Sequence, residues 1–324
     1  MKPRTLLVAA TILFLLALPG CSRKSEDGAK KKIAGIVFQE DQFFRLVLFG
    51  MRDAAAQSGV ELLEASSAGK PDKEIQLINT YIASNVKAIV ISPLSATASV
   101  SALERAREKG IVIITYNTNV GGRAPAAYIE SDQSDLGRST GRAAREYIEK
   151  QCGGKATIAI LAFHSQSPEQ SALRVHGFKE EVGKLSGVSI VAEQDAWLAE
   201  QAVKKAGDIL TAHPGLTLFW AANEGGTVGA VMAVKNAGKA GTVAVFGTDT
   251  GEQVATFLLS DDNILQAVTG QQPFEIGSLA VLSAVRALKG EAVQPKVSLP
   301  GLLLSRQNPE AVRQFAARLK ELSR

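Results

Sequence analysis

The residues of this sequence that could recognise a ligand are polar and aromatic side chains that directly follow short apolar runs. They fall at six places: Asp41, Gln42, Phe43 and Phe44; Asn117, Thr118 and Asn119; His164, Ser165 and Gln166; Asn223 and Glu224; Asp249; Gln271 and Gln272. Ionised carboxylates only accept hydrogen bonds whereas amides also donate them, and neighbouring hydroxyl groups need both. Aromatic rings, with Trp197 also available, can cover the apolar face of a sugar ring. These residue types suit a neutral, hydroxyl-rich ligand.

Other kinds of chemistry lack their usual residues in this sequence. No segment carries the G-x-x-x-x-G-K-[ST] or G-x-G-x-x-G pattern, so no phosphate cradle is predicted. No H-E-x-x-H motif or paired-cysteine metal site occurs, and no nucleophile, base and orienting group stand in an obvious set. We predict that the protein is not an enzyme and uses no cofactor or metal.

The elements that position these side chains alternate between short apolar runs and longer helical segments. One set of predicted strands lies at residues 33–38, 60–63, 88–92 and 112–116, and a second at 157–161, 189–191, 216–221, 243–247 and 264–269. Strands that are apolar on both faces belong in parallel sheets covered by helices, and ligands bind beyond the carboxyl ends of such strands. The predicted fold is α/β, with two doubly wound parallel-sheet lobes joined by a multi-strand hinge.

The order of these elements predicts where each lobe begins and ends. We predict an N-terminal lobe of residues 33–131 plus 272–300, because the last helix and strand of that range can cross back to complete it. Residues 132–271 plus 301–306 then form the C-terminal lobe. Residues 307–324 form an amphipathic helix that packs on a lobe surface, or alternatively binds a partner protein.

The first residues indicate export. Lys2 and Arg4 precede an apolar run at residues 6–18, which has the length of a secretory signal rather than of a membrane span. The run ends in Leu18-Pro19-Gly20-Cys21, which resembles the lipobox of bacterial lipoproteins. We predict a signal peptide at 1–20, a lipid on Cys21 and a solvated tether at 21–32, with an uncleaved anchor helix as the alternative.

Charge and cysteine content limit the predicted partners and the possible disulfides. The chain has 36 Lys and Arg against 32 Asp and Glu, and without Lys2 and Arg4 the mature protein keeps a net charge of +2. Apart from the lysines of the tether there is no basic stripe, so nucleic acid is not a predicted partner. After Cys21 only Cys152 remains, so the lobes have no disulfide between them.

Eight short stretches in order resemble the ribose/galactose-type periplasmic sugar-binding proteins of ABC transporters, over residues 31–305. They are Asp41-Gln42-Phe43-Phe44, Ile114-Thr115-Tyr116-Asn117, Tyr128-Ile129-Glu130-Ser131-Asp132, Arg174-Val175-His176-Gly177-Phe178, Leu210-Thr211-Ala212-His213-Pro214, Ala222-Asn223-Glu224, Val245-Phe246-Gly247-Thr248-Asp249 and Thr269-Gly270-Gln271-Gln272-Pro273. The resemblance implies two lobes of the type I periplasmic binding protein fold that close on a sugar at a hinge.

The resemblance also implies a role for each site residue. In the first lobe Asp41 would accept hydroxyl groups, Phe43 and Phe44 would lie on or beside the sugar ring, and Asn117 would add an amide. From the second lobe Arg174 would donate, Trp197 would stack on the opposite ring face, and Asn223 and Asp249 would complete the polar contacts. Gln271 would contact the sugar at a hinge crossing.

Departures from the family pattern leave the sugar open. Asp41 stands where ribose-type members have Asn, Thr118 stands where they have Arg, and no calcium loop of the glucose/galactose type is found. Each site residue also has a structural alternative. Asp41 could cap a helix, one of Phe43 and Phe44 could belong to the core, Trp197 could be a packing residue, Asn223 and Asp249 could be turn residues, and Arg174 could pair with a surface carboxylate.

The function implied by the resemblance is the substrate-binding part of an ABC importer for a monosaccharide or related polyol. Its expected partners are the permease and ATPase, with the membrane contacted only through the lipid at the periplasmic or cell surface, and the protein is expected to be a monomer. The alternative is a sensor that presents its ligand-bound form to a chemoreceptor or histidine kinase.

Overall fold

The computed structural model describes residues 30–322. The predicted signal peptide, the lipidation site Cys21 and most of the predicted tether lie outside these residues. Within them no helix is both long and apolar enough to cross a membrane.

The first of two six-stranded sheets is built mainly from the first 131 residues of the chain. Its strands are β1 (Lys32–Val37), β2 (Glu61–Ser66), β3 (Ala88–Ile91), β4 (Val112–Tyr116), β5 (Pro125–Ser131) and β11 (Lys296–Leu299). All of them are parallel, in the order β11-β5-β4-β3-β1-β2. We call this sheet and its helices the first lobe.

The second sheet has the order β12-β10-β9-β8-β6-β7, and we call it and its helices the second lobe. Its strands are β6 (Lys155–Ala162), β7 (Gly187–Asp195), β8 (Leu218–Ala221), β9 (Ala244–Thr248), β10 (Leu265–Gly270) and β12 (Leu302–Ser305). Only β12 is antiparallel to its neighbour. The predicted α/β class with two parallel-sheet lobes is confirmed.

Helices cover both faces of each sheet. In chain order they are α1 (Gln42–Ser58), α2 (Pro71–Ala83), α3 (Val100–Glu108), α4 (Gln133–Gln151), α5 (Pro168–Val182), α6 (Ala199–Ala212), α7 (Glu224–Asn236), α8 (Glu252–Leu259), α9 (Pro273–Leu288) and α10 (Pro309–Leu322). The two faces of each sheet have separate apolar cores, which explains why β3 and β9 are buried along their whole length.

The chain passes between the lobes three times. It crosses from β5 to α4, from β10 to α9 and from β11 to β12. Helix α9 returns to the first lobe, where Ile276 and Ala280 lie in the core with residues of α1. Helix α10 packs on the second lobe through the fully buried Val312.

Close helix contacts set the position of α5 against α4. A Cβ atom added to Gly137 of α4 would lie 1.9 Å from the backbone oxygen of Arg174, and one added to Gly177 of α5 would lie 2.2 Å from that of Ser134. Only glycine permits such an approach. The two glycines therefore fix the distance at which Arg174 is held from α4.

Candidate functional site

A cleft of about 540 Å³ lies between the two lobes, at the ends of their parallel strands. This volume falls within the range of small-molecule binding sites, about 300–1,000 Å³. All the residues that we predicted to bind ligand line it: Asp41, Phe43, Phe44, Asn117, Arg174, Trp197, Asn223, Asp249 and Gln271. The structure thus brings them together, whereas their contacts with a ligand stay a prediction.

Asn117 and Asp249 hold equivalent positions in the two lobes. Each follows the last residue of a central strand and has a positive φ, 60° and 66° respectively. The Asn117 amide nitrogen donates to the Ile129 oxygen at 3.0 Å, and that of Asp249 donates to the Thr269 oxygen at 2.9 Å. Asn and Asp tolerate this left-handed conformation better than other side chains, which explains these residue types at the turn.

Arg174 lies buried at the base of the cleft, with 2 % of its surface exposed. Its Nη1 donates to Asp249 Oδ2 and to the Ala222 oxygen, both at 2.9 Å, and its Nε donates to Gln133 Oε1 at 2.7 Å. The guanidinium carbon lies 5.1 Å from the centre of the Phe163 ring. Within residues 30–322 its Nη2 has no hydrogen-bond partner, so two donors remain for a ligand.

A closed ring of hydrogen bonds joins Arg174 and Asp249 to two of the hinge crossings. Ser131 Oγ donates to Gln271 Oε1 at 2.9 Å, and Gln271 Nε2 donates to Asp249 Oδ1 at 3.0 Å. Gln133 Nε2 donates to the Ser131 oxygen at 3.3 Å and completes the ring through Arg174. The cleft residues are therefore oriented by the same segments that connect the lobes.

Asp41 and Asn223 use their side chains to cap helices. Asp41 Oδ1 accepts from the Phe44 amide at 2.9 Å, and Asp41 also accepts from the Gln39 side chain. Asn223 Oδ1 accepts from the Gly226 amide at 3.0 Å, and its Nδ2 donates to the Trp197 oxygen at 2.8 Å. The helix-capping alternative is thus observed for Asp41, and Asn223, for which a turn was the alternative, also caps a helix; both residues line the cleft as well.

The aromatic residues divide between the cleft and the core. Phe44 is only 3 % exposed and packs with its ring centre 4.4 Å from that of Phe38 and 5.1 Å from that of Phe43. Phe44 therefore belongs largely to the core, although it also lines the cleft, and its place on or beside a sugar ring stays a prediction. Phe43 and Trp197, on opposite lobes, are only partly buried and remain able to contact a ligand.

Glu224 is a cleft residue to which the sequence analysis assigned no role. It is the first residue of α7, directly after the cap Asn223, and it is partly buried. Burial, together with the nearby carboxylates of Asp249 and Asp41, raises the pKa of Glu224 to about 7. The strand-end rule had pointed to this residue, but a sequence does not reveal how far a carboxyl is removed from water.

Several other cleft residues were given no individual ligand contact from the sequence, although Gln42 and Gln166 were among the candidates that follow apolar runs. Amide side chains enlarge the hydrogen-bonding surface, and Phe315 of α10 contributes an aromatic ring: Gln39, Gln42, Gln166, Gln170, Gln253 and Phe315. In the part of the chain that the structure describes, no group of three or more His, Cys, Asp or Glu side chains is arranged to hold a metal ion.

Comparisons with known proteins agree with this architecture. The chain is 28% identical to the ABC transporter periplasmic-binding protein YphF of Escherichia coli K12, over 91% of this chain and 92% of that protein. It is also 28% identical to the ribose import binding protein RbsB of the same organism, over 86% of this chain and 92% of RbsB. A solved ABC transporter solute-binding protein of Agrobacterium vitis, bound with α-D-tagatopyranose, is 26% identical, with a TM-score of 0.74 over 88% of this chain and 99% of that one.

The sequence model of a family described as "Periplasmic binding protein domain" matches residues 36–292, which include the end of β1 and all of β2 to β10 but not β11 or β12. This match covers well over half of the chain. The protein therefore belongs to the periplasmic binding protein domain family, a family of solute-binding proteins, as the motifs of its sequence predicted.

Proposed function

We propose that this protein is the substrate-binding component of an ABC importer and that it binds a monosaccharide or related polyol in the cleft between its lobes. The observation that carries the proposal is the hydrogen-bonded ring of the cleft. It joins the Arg174 and Asp249 pair, which has unused donors, to residues of the segments that cross between the lobes. Closure of the lobes around a ligand would then deliver it to the membrane permease.

The composition of the cleft supports a hydroxyl-rich ligand. Amides supply both donors and acceptors, the carboxylates supply acceptors, and Phe43 and Trp197 supply ring faces on opposite walls. Arg174 is the one cationic side chain among the described lining residues, and it already pairs with Asp249. A phosphate or carboxylate ligand would find few charge-assisted donors there.

The same residues support a binding role without catalysis. The described residues that line the cleft include no Ser, Cys, His or Lys that could act as nucleophile or as imidazole base. The letters Gly137-Arg138-Ser139-Thr140-Gly141 do match the G-x-S-x-G pattern, which serves as a nucleophile elbow only at a sharp strand-to-helix turn. Here they lie inside α4, and Ser139 is 6 % exposed.

The N-terminal sequence supports the cellular setting that we propose. A signal peptide at residues 1–20 would direct export, and a lipid on Cys21 would hold the protein at the periplasmic or cell surface near its permease. The tether would then allow the lobes to reach the transporter. We propose that the protein works as a monomer, since one chain supplies both walls of the cleft.

Thermal unfolding against a panel of aldoses, ketoses and polyols tests the proposal. A ligand at 100 times its Kd should stabilise the mature chain, residues 22–324, by about 2.7 kcal/mol. Asn117→Ala should abolish most of this shift, whereas Asn85→Ala should not, because Asn85 has a similar left-handed φ of 53° but is exposed and does not line the cleft. No shift with any member of the panel would refute sugar binding and favour a sensor of another ligand.

A further inference from the structure

The walls of the cleft carry more negative than positive charge. In the part of the chain that the structure describes, the charged residues that line it are Asp41, Glu224 and Asp249 against the single Arg174. When all four are ionised, three carboxylates against one guanidinium leave a net charge of −2. An anionic ligand would add to this charge, and a neutral ligand would leave it uncompensated.

Glu224 is the least satisfied of these four groups. Arg174 and Asp249 pair with each other, and Asp41 accepts two hydrogen bonds from its own lobe. No residue from 30 to 322 donates a hydrogen bond to the Glu224 carboxyl or forms an ion pair with it. The carboxyl nevertheless lies in a partly buried place on the cleft wall, where an ionised group needs a partner.

A second acceptor from the opposite lobe faces the same point. A Cβ atom placed on Gly251 would lie 2.3 Å from Glu224 Oε1 and 3.4 Å from Gln42 Oε1. The two oxygens therefore approach one small region from the two lobes. In this arrangement both oxygens accept hydrogen bonds, so a ligand group that contacts both of them would be a donor.

We propose that the cleft takes a ligand with a protonated primary amine, an amino sugar or aminated polyol, whose ammonium group binds to Glu224. An ammonium group has three donors and no acceptor, which matches Glu224 and Gln42 Oε1 together. Its charge also offsets half of the net negative charge of the cleft. The inference rests on the proposed function and specifies the substrate class of the same site.

The electrostatics of Glu224 agree with a cationic ligand. Burial and the carboxylates of Asp249 and Asp41 raise the pKa of Glu224 to about 7, so the free protein binds a proton where the ligand would place its amine. Among the lining residues within the described range 30–322, Arg174 is the one cation. The charged side chains of α6 and α8, which flank α7, are not among those that line the cleft: Glu200, Lys204, Lys205, Asp208 and Glu252.

Isothermal titration calorimetry of residues 22–324 at pH 6, 7 and 8 tests the proposal. The probes are 2-amino-2-deoxyhexoses and 1-amino-1-deoxyalditols of the gluco, galacto and manno configurations, each beside its neutral parent. At least one aminated probe should bind ten times more tightly than its parent. The affinity of an alkylamine probe that stays protonated should rise about tenfold from pH 6 to pH 8, because Glu224 with a pKa of about 7 goes from about one tenth to about nine tenths ionised.

Two matched variants separate Glu224 from general charge effects. Glu224→Gln should lose the tenfold preference for the amine and its pH dependence. Glu252→Gln should change neither, although Glu252 is likewise the first residue of its helix. Tighter binding of the neutral parent, or binding that weakens from pH 6 to pH 8, would overturn the amine proposal and leave sugar binding standing. If no probe binds at all, the proposed function fails as well.

Discussion

Removal of the Arg174 side chain should destabilise the second lobe strongly. Arg174→Met keeps most of the apolar stem but leaves Asp249 without its ion-pair partner, and it leaves Gln133 Oε1 and the Ala222 oxygen without their donor. The Arg174 side chain is 3% exposed and that of Asp249 is 22% exposed. Water can therefore replace few of the hydrogen bonds that Asp249, Gln133 and Ala222 would lose. Breaking a buried pair by removing one partner costs about 3–5 kcal/mol.

The physical reason for this cost can be tested with a second substitution. If most of the lost stability comes from the unpaired charge of Asp249, adding Asp249→Asn to the Arg174→Met chain should restore part of the free energy of unfolding. The double variant Arg174→Met/Asp249→Asn should then be more stable than Arg174→Met alone by about 1–3 kcal/mol, the usual size of coupling between contacting residues.

Urea unfolding followed by tryptophan fluorescence provides the assay. Both tryptophans of the chain, Trp197 and Trp220, belong to the second lobe, and the Trp220 ring stacks on Phe178 of α5 at 4.5 Å. Arg142→Met is the matched control, because the Arg142 pair with Asp135 is 47% exposed on the arginine side and such pairs contribute about 0–1 kcal/mol. Additive effects in the double variant, or an Arg174→Met loss no larger than that of the control, would refute the reasoning.

Three further predictions follow from the fold and the cleft. Gly137→Ala should lower the free energy of unfolding in urea by about 1–3 kcal/mol and weaken ligand binding, because the new Cβ would displace the backbone of Arg174. Gly207→Ala is the control and should not destabilise the protein, because a Cβ there meets nothing within 4 Å. The pKa of Glu224 is about 7 in the folded protein against an ordinary 4.5, so stability should fall as pH rises from about 5 to 8. Glu224→Gln without ligand should therefore gain at most about 3 kcal/mol at pH 8 and almost nothing at pH 4, and an equal gain at both pH values would contradict this. Val312→Ala should lower the free energy of unfolding by about 2 kcal/mol, because this fully buried side chain holds α10 to the second lobe; an unchanged urea midpoint would show that α10 is held by other contacts.

Much of the fold followed from the sequence because its strands are buried and its turns are marked by Gly, Asn and Asp. The apolar runs around residues 89 and 113 proved to be central parallel strands. Strand β12 was missed. It has only four residues, lies antiparallel at a sheet edge, and leaves Leu302 and Leu303 each 41 % exposed, so neither alternation nor a long apolar run reveals it.

The candidate site was predicted in its members but not in its internal contacts. Strand ends pointed to Asn117 and Asp249 because the carboxyl ends of parallel strands meet at one edge. Arg174 lies within a helix, and only the resemblance singled it out. Its bond to Gln133, and the ring through Gln271, depend on side-chain conformations and on how the lobes face each other. A linear pattern contains neither kind of information.

The three crossings between the lobes have a consequence for the order in which the protein is made. Five of the six strands of the second lobe come from one uninterrupted stretch, residues 155–270, whereas the first lobe needs α9 and β11 from residues 273–299. During synthesis from the N-terminus, the lobe that begins the chain is thus the one that is completed later. Its core lacks Ile276 and Ala280 and its sheet lacks an edge strand until nearly the whole chain exists. A nascent chain therefore cannot complete the cleft before the last sixth of the polypeptide, which begins at α9, has been made.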